Sequence, residues 1–112
     1  MDTFDTLLQR YLKLYKNFHD DKDPPHLEDA KEFFDRIKHI RDNTISCISF
    51  TEASCNIIFS NKNVSCTVYY DYDYKSDALY IVKGNKEYNS SYLDLDDTFS
   101  DNLDKLLLSC GI

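Results

Sequence analysis

The residues of this chain best suited to chemistry are three histidines, four cysteines and a run of carboxylates, and their spacing decides what they can do. His19-Asp20-Asp21-x-Asp23-x-x-His26 combines imidazole and carboxylate, donors that could hold zinc or manganese. It matches no standard ligand spacing, and Pro24-Pro25 stiffens the chain between the outer ligands, so a solvated loop is the expected reading. Asp71-x-Asp73-x-x-x-Asp77 begins like a calcium loop. Tyr74-Lys75-Ser76 then supplies neither the next oxygen ligand nor the glycine that such a loop needs. No metal is expected at either place.

Catalysis finds little support. His19, His26 and His39 all fall in the N-terminal helical region, where no serine or cysteine accompanies them. A Cys–His pair assembled across the fold stays open as a minor alternative, since such constellations are geometric and not sequential. With two glycines in 112 residues, the chain cannot build a phosphate-cradling loop or a dinucleotide fingerprint. Neither an enzyme nor a cofactor is expected. Cys47, Cys55, Cys66 and Cys110 lie 8, 11 and 44 residues apart, with no Cys-x-x-Cys, and are expected as small buried hydrophobes in a reducing compartment.

Charge points elsewhere. Twenty carboxylates against 13 Lys and Arg give a net charge of −7, which disfavours direct contact with phosphate backbones. The imbalance is concentrated between residues 71 and 104, where nine acids face Lys75, Lys83 and Lys86. Tyr69, Tyr70, Tyr72, Tyr74, Tyr80, Tyr88 and Tyr92 lie in the same region. Tyrosine supplies rigid apolar area, and neighbouring carboxylates steer a basic partner. The candidate partner-binding residues are therefore Tyr69, Asp71, Asp73, Tyr74, Asp77, Glu87, Asp94, Asp96 and Asp97. The competing account is that outward tyrosines are common in strands and acidic surfaces aid solubility.

The elements that must position these residues follow from periodicity. Phe4, Leu7, Leu8, Tyr11, Leu12, Leu14, Tyr15 and Phe18 recur at helical spacing, with Asp2 or Thr3 as cap. Asp23-Pro24-Pro25 announces a second helix carrying Leu27, Ala30, Phe33, Phe34, Ile37 and Ile40 on one stripe. After Asn43 the period becomes two. Strands are expected over 44–50, 54–60, 64–72, 78–82 and, as a short edge, 87–92, with turns at Asn61-Lys62-Asn63 and Gly84-Asn85. In the third strand Tyr70, Tyr72 and Tyr74 should continue the apolar face of Val64, Cys66 and Val68, leaving Tyr69 outside beside Asp71 and Asp73. Phe99, Leu103, Leu106, Leu107 and Cys110 predict a last helix, capped by Asp96 or Asp97 and ended by Gly111. Short links between strands favour an antiparallel meander, since a parallel pair needs a crossover of a dozen residues or more.

The expectation is one α+β domain over residues 1–112: an N-terminal helical hairpin, a meander of four or five antiparallel strands, and a C-terminal helix, with the helices on one face of the sheet. No apolar run approaches the ~20 residues that span a bilayer. The N-terminus lacks a secretory leader pattern, so a cytoplasm is expected, the cell's own or a host's. In size, charge and lack of catalytic motifs the chain is similar to the anti-CRISPR proteins of phages and to immunity proteins that neutralise toxins. That similarity implies an inhibitor covering a basic site on a nuclease, CRISPR effector or toxin. The alternative is an intracellular adaptor or complex subunit whose charge only solubilises it.

Overall fold

The computed structural model describes residues 3–84 and 88–112, and it realises the α+β arrangement. Helices α1 (Thr3–Phe18) and α2 (Leu27–Ile37) come first, followed by a 3-10 turn at Asp42–Thr44. Strands β1 (Ile45–Phe50), β2 (Ser54–Asn61), β3 (Val64–Asp71), β4 (Asp77–Lys83) and β5 (Tyr88–Asp94) then form one antiparallel sheet in sequence order, and α3 (Phe99–Ser109) closes the chain. The Asn85 half of the expected β4–β5 turn, the Asp2 cap and Glu87 lie outside the described residues.

All the helices use the same face of the sheet. Cys55, Ile57 and Phe59 of β2, with Cys66, Val68 and Tyr70 of β3, alternate inward and are buried. They meet Phe4 of α1, Ala30, Phe33, Phe34 and Ile37 of α2, and Phe99, Leu103 and Leu107 of α3 in a single core. Phe33 stacks on Tyr70 at 4.7 Å, while Phe4 and Phe50 both approach Phe34 edge-on at 5.3 and 5.6 Å. Such pairs favour offset or edge contacts because ring faces and edges carry opposite partial charge.

Several polar contacts fix the helix layer. The Tyr11 hydroxyl accepts from the Phe50 N–H and donates to the Phe50 carbonyl, each at 3.1 Å, so α1 satisfies backbone groups at the end of edge strand β1. The Ser100 hydroxyl donates to the Arg36 carbonyl at 2.7 Å, joining the start of α3 to the end of α2. At the C-terminus Gly111 takes φ +85°, and the N–H groups of Gly111 and Ile112 reach the carbonyls of Leu108 and Leu107. That is a Schellman ending, and it turns Ile112 back into the core.

Four local expectations are corrected. Leu14 and Phe18 are exposed, Phe18 at 81%, while Phe4 at the start of the same helix is buried in the core. The second helix begins at Leu27, two residues after the prolines, because His26 adopts a left-handed conformation (φ 58°). It ends at Ile37, so Ile40 and Arg41 fall in a turn, closed by Thr44 donating to the Arg41 carbonyl through its N–H at 2.9 Å and its hydroxyl at 2.6 Å. Cys47 is exposed: the β1–β2 register jumps between Ile45 and Cys47, and the bulge sends Ser46 and Cys47 outward while Ile45, Ile48 and Phe50 stay inward.

Candidate functional site

Among the described residues no helix packs on the opposite face of the sheet. The register aligns Ser49, Asn56, Tyr69, Leu79 and Tyr92 in one row across all five strands, and Cys47, Ile58, Thr67, Ile81 and Ser90 in the next. Further along lie Ser54 opposite Asp71, and Asp77 opposite Asp94. The open face therefore sets Ile58, Leu79, Ile81 and two tyrosines among small polar residues in its middle and is acidic at one end.

That end collects the carboxylates through topology. β1, β3 and β5 finish there and β2 and β4 start there, which brings Glu52, Asp71, Asp73, Asp77, Asp94, Asp96 and Asp97 to one end of the sheet. The base nearest in sequence, Lys75, bonds instead to Asp29 of α2 at 3.6 Å. Among the described residues no ion pair engages Asp71, Asp73, Asp77 or Asp94. Asp77 and Asp94 are direct cross-strand neighbours, a like-charge pairing that works against folding.

A hollow of roughly 510 Å³ opens at this end. Tyr69, Asp71, Tyr74 and Asp77 line it together with Ser54, Leu79 and Tyr92. Tyr74 departs from the expected alternation. β3 ends at Asp71, a turn follows in which the Tyr74 N–H reaches the Asp71 carbonyl at 3.0 Å, and the ring is left 67% exposed on the open side. Tyr70 and Tyr72 remain inside as expected. Asp71 holds the same turn by accepting the Asp73 N–H at 2.9 Å, and Asp73 is exposed beside it.

The remaining candidates do not line the hollow. Asp94 adjoins it through Asp77. Asp96 opens the turn into α3, accepting the N–H and hydroxyl of Thr98 at 2.8 and 2.5 Å, and these bonds hold its carboxyl below the ordinary carboxylate range. Asp97 is exposed in that turn. Leu79, Tyr92 and Ser54 were not anticipated as site residues. Finding them requires the strand registers, β2–β3 for Ser54, β3–β4 for Leu79 and β4–β5 for Tyr92, which depend on turn lengths that periodicity does not specify.

The histidines sit apart from the hollow. His19 stacks on Tyr15 at 3.9 Å, His26 stacks on Tyr72 at 4.9 Å and pairs with Asp29 at 3.3 Å, and His39 is exposed. Among the described residues no three His, Cys, Asp or Glu side chains are grouped to hold a metal.

Cys55 and Cys66 are enclosed in the core, and burial pushes both thiols from the ordinary 9.0 up to about 12, the opposite of an activated nucleophile. The sign of the linkage follows. Above pH 9.0 the unfolded chain gives up these protons and the folded chain keeps them, so their contribution is intact below 9.0 and lost as pH climbs toward about 12. The expected result is an unfolding free energy, read from urea titration, that falls above pH ~9 at up to about 1.4 kcal/mol per pH unit for each thiol. Cys66→Ala should make that fall shallower, and an unchanged slope would remove the thiols as its cause.

No family model matches the chain, and no curated protein or solved structure matches it either. Fold and surface define its class: a two-layer α+β protein with one helix-covered sheet face and one open, tyrosine-bearing face that is acidic at one end. Among the described residues no helix is long and apolar enough to cross a membrane.

Proposed function

We propose that this protein is an inhibitor or antidote that acts by occupancy, covering a basic, nucleic-acid-handling site on another protein with the open face of its sheet. One observation carries the reading: Asp71, Asp77 and Asp94 stand together on an uncovered face, without ion-pair partners among the described residues, beside tyrosines that line a hollow. Nuclease, CRISPR-effector and toxin sites that hold a phosphate backbone are lined with Lys and Arg, so fixed carboxylates compete there directly. The like-charge neighbours Asp77 and Asp94 support the same reading, since a purely structural sheet gains nothing from them. Four free thiols suit a reducing compartment, and the reading places the protein in a cytoplasm.

The test is affinity capture on the immobilised protein from cells and from phage-infected cells, at about 50 and about 500 mM salt. A basic nucleic-acid-binding protein should be retained at the lower salt, released at the higher, and displaced by added DNA or RNA. Retention of a partner indifferent to both salt and nucleic acid would assign an adaptor role instead.

A further inference from the structure

We infer that the hollow at the acidic end of the open face is a receptor for an arginine side chain of the partner, held between tyrosine rings and carboxylates. This rests on the reading that the open face is the binding surface, and it adds the chemistry of the group that surface receives.

Two independent features lead there. The first is a built concavity: roughly 510 Å³, walled by Tyr69, Tyr74 and Tyr92 and by Asp71 and Asp77, within the range of about 300–1,000 Å³ usual for ligand pockets. The second is how differently the tyrosines of the two faces are used. On the helix side Tyr11 is bonded to Phe50 and packed on its ring, Tyr70 is stacked on Phe33, and Tyr72 lies against His26. Among the described residues no ring contact, side-chain hydrogen bond or ion pair engages Tyr69, Tyr74 or Tyr92. Among the described residues their rings and hydroxyls are unengaged, Asp77 beside them has no ion-pair or hydrogen-bond partner, and Asp71 accepts only the Asp73 N–H, which leaves its charge unpaired.

The contents of the wall select the occupant. An apolar side chain would dehydrate Asp71 and Asp77 and give them nothing in return. An anion would be repelled. A cation gains from both wall components, because the face of a tyrosine ring is the negative pole of its quadrupole. Between the two basic side chains, the ammonium of lysine is compact and strongly hydrated. The guanidinium of arginine is planar and weakly hydrated, and it can lie flat on a ring while its edge donates to carboxylates. Lys75 does not fill the hollow from within, since it is held by Asp29 on the helix side.

The experiment is a two-dimensional amide NMR titration of the intact protein at low salt with acetyl-triarginine amide and, separately, acetyl-trilysine amide. The two probes carry equal charge. Triarginine should shift the amides of Tyr69, Asp71, Tyr74, Asp77 and Tyr92 saturably and bind roughly fivefold or more tightly than trilysine. Tyr74→Leu with Tyr92→Leu, both at well-exposed positions (67% and 63%) where the fold tolerates change, should weaken triarginine roughly tenfold and trilysine much less. Equal affinity for the two probes, or tyrosine variants that bind as the parent does, would overturn the receptor. If Asp71→Asn with Asp77→Asn still abolishes binding in that case, the acidic surface stands without it. Absence of open-face shifts with either peptide would remove both the receptor and the surface reading.

Discussion

Phe34→Ala should lower the free energy of unfolding by about 3–5 kcal/mol, the usual loss when a buried phenylalanine is truncated. Phe34 is 1% exposed and sits where three elements meet: its ring contacts Phe4 of α1 at 5.3 Å, Phe33 of its own helix at 5.9 Å, and Phe50 of β1 at 5.6 Å. Phe33 and Phe50 cannot move into the space without loosening their own ring contacts with Tyr70 and Tyr11. A domain of this size has a total stability of roughly 5–15 kcal/mol, so the variant should be partly unfolded under mild urea or modest heating. Phe18→Ala is the matched control. Phe18 is 81% exposed at the last position of α1, and its removal should move the urea midpoint within error. Similar losses from both variants would contradict Phe34's place in the core. Since Phe34 packs against the covered face, the fraction of Phe34→Ala that stays folded should bind a basic partner as the parent does.

Much of this architecture was legible because two physical periods do not overlap. Phe33, Phe34 and Ile37 recur as a helix requires, and Cys55, Ile57 and Phe59 as a half-buried strand requires, and the structure buries all six. The breaks in period were not legible. Nothing in Ile45-Ser46-Cys47 marks a bulge, yet one added residue there moves Cys47 to the open face. Period two carried past Asp71 places Tyr74 inside, but the strand stops because the Asp71 carboxylate and carbonyl capture the N–H groups of Asp73 and Tyr74. Asp is a turn former through this side-chain competition with the ladder. The candidate site was half readable for the same reason. Tyr69, Asp71, Tyr74 and Asp77 are close in sequence, so their density alone groups them, whereas Tyr92 joins them only through Leu79, across two strand pairings.

Replacing Asp71, Asp77 and Asp94 together with asparagine should change stability and binding in opposite directions. Asparagine keeps the shape and keeps an oxygen to accept the Asp73 N–H, so the turn after β3 survives. Removing charge from Asp77 and Asp94 ends a direct cross-strand repulsion, which should raise stability by about 0.2–1 kcal/mol. Binding to a basic partner should weaken at the same time. Steering by a one-signed surface accounts for about 10–1,000-fold in association rate at low ionic strength, so loss of three carboxylates from the face should slow association roughly 10–100-fold there and far less at high salt. Urea titration reads the first effect and surface-immobilised association kinetics at two salt concentrations read the second. A variant that is less stable and binds more weakly would show only damage to the fold. Greater stability with unchanged association would show that the uncompensated charge on this face is not what the partner meets, and the proposed inhibitory surface would then have to lie elsewhere. The opposed signs matter because a folding defect cannot produce them: the repulsion that strains the sheet when the protein is alone is one that a basic partner would relieve.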